Sequence, residues 1–205
     1  YAAGAFASTL AIGDGSSYTP VAISGTGAGA GFALAASTTS GDHPDFVTSG
    51  LDAARSLNRF WTVSSTNGAG ATWSATYNYP SSDVDGTADP LTFQGRAWDG
   101  AAWTPLTINA VTSNSIQPSG ITSATPAQFA FGNPPSFTIT ATAGANGSIT
   151  PSGVIAVPLG GGQAFTMTPN PGFHVDDVLV DGASVGAVLD YTFTNVTSNR
   201  TIAVS

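Results

Sequence analysis

The 205-residue chain contains no Glu and no Lys. Those residues, with Gln and Arg, usually build the solvent face of a helix, because their straight side chains lose little rotamer freedom there. Ser, Thr, Asn and Gly, which suit strands and turns, are plentiful instead. A chain that lacks the first group and keeps the second is expected to be almost wholly β. Turn residues also recur roughly every ten positions between short apolar runs, as in a sandwich or barrel and unlike a βαβ sheet.

Strands are predicted at residues 6–12, 21–23, 31–34, 59–63, 72–79, 91–98, 103–108 and 129–131. Within 72–79, Trp73, Ala75, Tyr77 and Tyr79 fall on one face. Asp99-Gly100, between Trp98 and Trp103, reads as a hairpin turn. The only helix-like piece is 49–57, with Ser49 placed as an N-cap. Phe131-Gly132-Asn133-Pro134-Pro135 is the clearest boundary, since consecutive prolines exclude ladder positions and favour a stiff extended link. The expected architecture is all-β: two β-sandwich-like domains in tandem, 1–132 and 136–205, joined by a short Pro-rich linker at 133–135.

Absent residue types exclude chemistry. Without Lys there is no Schiff base, no Lys–Asn isopeptide bond and no phosphate-binding lysine. Without Cys there is no disulfide, thiolate nucleophile or thiolate metal site. The acids are 12 Asp, the bases 4 Arg, and the net charge is −8. That balance argues against nucleic acid and anionic membrane surfaces, which want clustered cations. No apolar run approaches the ~20 residues of a membrane span. The chain opens at Tyr1 without Met and stops within a strand pattern at Ser205, as expected of a piece of a longer secreted polypeptide.

Several residue groups are candidates for function. Asp83, Asp85 and Asp89 have the alternate spacing, with Gly86 between, that a calcium ion uses. The chain has no Glu to complete an EF-type loop, and an Asp-rich turn accounts equally for the spacing. Asp42, His43 and Asp45 form a second polar knot, and His174 with Asp176 and Asp177 a third; both read as hydrogen-bonded turns. Arg55 and Arg59 are placed to pair with Asp52, Arg59 being partly buried. Trp98 and Trp103 flank the hairpin and are the candidates for stacking on surface glycans, although aromatics of this kind more often fill a core. Asn146, Asn195 and Asn199 carry Asn-x-Ser/Thr sequons. The segment from Tyr1 to Ile12 is small and uncharged, the composition of a strand donated to another copy or of a first strand.

In the last third, Phe165 to Pro169 leads to Pro171-Gly172-Phe173. A Val-x-x-Val-x-Val-Asp-Gly run follows from Val175 to Gly182, and then Tyr-x-Phe-x-Asn-Val from Tyr191 to Val196. Residues 137–205 therefore resemble a divergent internalin-type B-repeat, a module found in tandem in large bacterial secreted and cell-surface proteins. Thr39 to Pro44, Leu57 to Thr62 and Trp98 to Trp103 make residues 10–132 similar to uncharacterised β-domains of such proteins, which bring no catalytic residues to transfer. The resemblance implies an extracellular, non-enzymatic stalk or adhesion scaffold without a cofactor. Its partners would be neighbouring β-domains or other copies of itself. A filament subunit donating Tyr1 to Ile12 and a carbohydrate-binding module using Trp98 and Trp103 are the alternatives.

Overall fold

Residues 4–15, 17–28, 31–67, 71–119, 121–122 and 127–205 are described in this computed structural model. Tyr1 to Ala3, the start of the strand considered for donation, lie outside them. The chain divides into two compact units, Tyr1–Pro134 and Pro135–Ser205.

Among the described residues of the first unit, ten strands form one antiparallel sheet: β1 (Gly4–Leu10), β2 (Val21–Ala28), β3 (Ala33–Ser40), β4 (Arg59–Thr66), β5 (Thr72–Asn78), β6 (Gln94–Trp98), β7 (Trp103–Val111), β8 (Ser115–Ser119), β9 (Ile121–Thr122) and β10 (Ala127–Gly132). Their order is β1-β2-β5-β8-β7-β6-β10-β4-β3, with β9 beside β5. The sheet bends over itself at β7, whose register with β8 shifts between Ile108 and Ala110; such bulges bend and twist a strand. Its two halves consequently share one aromatic core. Trp61 lies 5.1 Å from Tyr77, and Tyr77 lies 5.5 Å from Phe129, ring centre to ring centre. β1 is the first strand of its own sheet, paired with β2 from Gly4 to Leu10.

Side-chain alternation explains β5. Trp73, Ala75, Tyr77 and Tyr79 are all buried, as predicted, while the residues between them are not. β4 and β10 behave differently. Arg59, Phe60 and Trp61 are buried in succession, and so are Phe129, Ala130 and Phe131. A strand covered on both faces has no polar side to alternate with. The second cover is the segment 41–58, which lays His43 on Phe60 and packs Phe46 and Leu51 against Ala130.

That segment is not the expected helix. Gly50 has φ +74°, and Ser49 Oγ accepts from Leu51 N–H as a tight turn. Leu57 N–H donates to Phe131 C=O and Asp52 N–H to Asn133 C=O, so these amides serve β10 and its extension. A 3-10 turn, Phe46–Thr48, precedes it. Helical structure among the described residues is confined to three such turns, and no helix is long and apolar enough to cross a membrane. Asn133, assigned from sequence to the link, is held in the first unit. Its Nδ2 donates to Asp89 C=O and Thr92 Oγ1, and its Oδ1 accepts from Asp89 N–H.

Two sheets make the second unit. Strands β11 (Ser136–Ala143), β12 (Gly147–Thr150), β13 (Gly153–Pro158), β14 (Gln163–Pro169), β15 (Val178–Val180), β16 (Ala183–Ser184), β17 (Asp190–Phe193) and β18 (Arg200–Val204) are arranged as β13-β11-β18-β15-β16 and β12-β14-β17. Ile139, Val157, Val178 and Ile202 from the first meet Ile149, Phe165, Met167 and Phe193 from the second in one core. Asp181 (φ +49°) and Gly182 (φ +81°) form the two-residue β15–β16 turn, whose left-handed conformations favour this pair.

Candidate functional site

The sequence candidates of the first unit gather where the 41–58 segment and the 81–89 turns meet the sheet. Arg59 opens β4 and is 1% exposed. Its Nη1 lies 2.8 Å from Asp14 Oδ2 and donates to Thr38 Oγ1 at 3.1 Å, while its Nε donates to Asp83 Oδ2. One guanidinium thus joins the loop after β1, β3 and the Ser81–Asp83 turn. Its carboxylate partners are 45 and 24 residues away and neither is Asp52, whose Oδ1 accepts from Ala54 N–H. Arg55 Nε donates to Thr87 C=O.

The three acids considered for calcium have separate engagements. Asp83 faces Arg59. Asp85 accepts from Ser56 N–H and Oγ–H through Oδ2 and from Asn58 Nδ2 through Oδ1, at 2.8, 3.1 and 2.7 Å. Asp89 Oδ1 caps Leu91 N–H. Among the described residues no group of three or more His, Cys, Asp or Glu is placed to hold a metal ion. Ser56 Oγ also lies 3.0 Å from Asp42 Oδ1. Burial raises the Asp42 carboxyl above its ordinary value; the Ser56 hydroxyl opposes that, and Asp85 adds to it.

His43 is a pin between loop and sheet. Its Nδ1 accepts from Asp45 N–H at 3.0 Å, which leaves Nε2 to donate to Gln128 Oε1 at 2.7 Å. Phe60, Trp98 and Trp103 wall the ring at centroid distances of 5.0, 5.7 and 4.8 Å. Trp98 and Trp103 are directly opposed across β6 and β7, with ring centres 5.2 Å apart and planes tilted by 47°. Trp103 Nε1 donates to Asp45 C=O. Both indoles are half-buried against His43 and do not form a coplanar platform. Sequence reasoning missed Asp14, Thr38, Ser56 and Gln128, whose partners lie far away along the chain.

The hairpin turn carries a pH-dependent contact. Asp99 Oδ1 accepts from Ala102 and Ala101 N–H, both at 2.8 Å, and these bonds hold its carboxyl below the ordinary value. A carboxyl lowered on folding stabilises the turn above its unfolded pKa, about 3.9, and that contribution disappears as pH falls through the lower folded value. In an NMR titration the Ala101 and Ala102 amides are expected to move together with a midpoint below about 3.9. A midpoint at or above it would contradict this bonding.

In the second unit Asp177 Oδ1 accepts from Val178 N–H, Ser184 Oγ–H and Gly186 N–H, locking the β15–β16 hairpin. Gly182-Ala183-Ser184-Val185-Gly186 has the Gly-x-Ser-x-Gly spacing of a hydrolase nucleophile elbow, which requires a strand-to-helix turn. Here it is a hairpin, with the Ser184 hydroxyl donated to Asp177. His174 is exposed and lines an open groove of about 190 Å³ with Phe173, Met167, Thr168 and Asn146. Compared with protein-family models, curated proteins and solved structures, the chain matches none.

Proposed function

We propose that the chain is a non-enzymatic structural component, a stalk or adhesion scaffold, of a bacterial surface or secreted protein. It comprises two β-sandwich-like domains in tandem across Pro134-Pro135. One observation supports this most: the polar side chains that gather in the first unit, and Asp177 in the second, are engaged in fastening loops to one another and to the sheets. Arg59 is held by Asp14 and Asp83, Asp85 by Ser56 and Asn58, and Asp177 by Ser184. The location in this proposal rests on the resemblance of residues 137–205 to a surface-protein repeat. Durability fits the same role, because a chain without Lys and with Arg59 buried offers trypsin few sites.

Antibodies raised against the purified chain are expected to label intact cells of the encoding organism, or its culture medium, as strongly as permeabilised cells. Labelling only after permeabilisation would overturn the proposal.

A further inference from the structure

We infer that the open seam of the first unit's sheet is a self-association surface that accepts a second copy of this chain, edge to edge. The end strands β1 and β3 form the two lips of that seam. Phe6 on β1 lies 5.0 Å from Phe32, the residue before β3, and Leu10 and Leu34 line the same small cleft with Ser8 and Ile23. No ladder joins the lips among the described residues.

Parity sets the direction of the two lips. Eight pairings lead from β1 to β3 and all are antiparallel, so the two end strands run in the same direction. Only a parallel ladder could close the sheet on itself, and parallel pairing is the less stable kind. Among the described residues each lip is the end strand of the ladder order, the position at which an extended strand adds to a sheet.

The composition of the lips selects the occupant. Natural edges are usually blunted by Lys, Pro, bulges or inward charges. Gly4–Leu10 and Ala33–Ser40 contain no charge and no Pro, and the single irregularity of β1 lies at its start, between Gly4 and Phe6. In a chain of net charge −8, two copies repel over most of their surface, and these neutral lips are where they can approach. A twofold axis normal to the sheet pairs each lip with its own counterpart, antiparallel, and one axis serves both. Leu10 and Leu34, now partly buried, would be covered. Each lip spans ~24 Å, and a strip ~20 Å wide buries on the order of 1,000 Å² over both copies, the lower margin for a specific interface. The association is thus weak and reversible.

Sedimentation velocity of the full chain from micromolar to millimolar concentration is expected to show a monomer–dimer equilibrium. Ser8→Lys and Ser8→Asp each place a charge at the lip and are expected to weaken self-association at least about tenfold. An equimolar mixture of the two variants is expected to restore it, and that result separates charge repulsion from misfolding. Ala35→Lys, at an exposed β3 position that needs no repacking, is expected to act in the same direction. A monomer at every concentration overturns the inference, and so does a dimer indifferent to all three variants. Localisation tests the scaffold role and sedimentation tests the seam, so either can fail alone.

Discussion

Arg59→Met is expected to destabilise the first unit by about 3–5 kcal/mol, the usual result of removing one member of a buried ion pair. Met matches much of the length and apolar volume of Arg, so packing is largely kept and the loss is electrostatic. Asp14 and Asp83, whose side chains are only 13% and 12% exposed, would lose the cation that offsets their dehydration. Three attachments loosen together, because the same guanidinium holds the loop after β1, Thr38 of β3 and the Ser81–Asp83 turn. Arg59→Lys is expected to fall between wild type and Met, since an ammonium cannot present the planar fork that reaches several acceptors at once.

All four tryptophans lie in the first unit, so their fluorescence in a urea titration follows that unit alone. The Arg59→Met, Asp83→Asn double variant should cost less than the sum of the single changes, because the second removes a charge the first leaves stranded. A loss below about 1 kcal/mol for Arg59→Met would show the network to be solvated and the loops to be held by something else.

The β class and much of the first unit's strand pattern were legible because they depend on local signals. Alternation in 72–79 placed Trp73, Ala75, Tyr77 and Tyr79 correctly, and Asp99-Gly100 marked the β6–β7 turn, although four residues, 99–102, link the strands. Failures occurred where tertiary partners overrode local preference. Ser49 resembles an N-cap, yet Gly50 breaks the helix and the amides of Asp52 and Leu57 are taken by Asn133 and Phe131. β8 escaped notice because Pro118 interrupts it; it sits opposite Ile108 beside the β7 bulge. The pairing of Arg59 was assigned to nearby Asp52, whereas folding brought Asp14 and Asp83 to it. Trp98 and Trp103 were correctly placed on a hairpin, but nothing local revealed that His43 would fill the space beneath them.

Gly25→Ala is expected to cost roughly 3 kcal/mol, near the upper end of the range for overpacking a core. In the sheet's register Gly25 stands between Phe6 on β1 and Trp73 on β5, so one cross-strand row reads aromatic, glycine, aromatic. Both neighbours are buried and converge over the position without a side chain. A Cβ at Gly25 would meet the Thr72 carbonyl oxygen at once, and would lie 2.7 Å from Phe6 Cζ and 2.7 Å from Trp73 Cβ. The first obstacle is backbone within the ladder and cannot rotate away. Gly86→Ala is the control, because that glycine has open space around it and no left-handed conformation, and it should change stability by less than about 0.5 kcal/mol. Adding Phe6→Leu to Gly25→Ala removes the ring atom but not the carbonyl, so rescue should be partial. Equal unfolding midpoints for Gly25→Ala and Gly86→Ala would mean that β2 can shift away from β5 at little cost, and that the row is loosely packed.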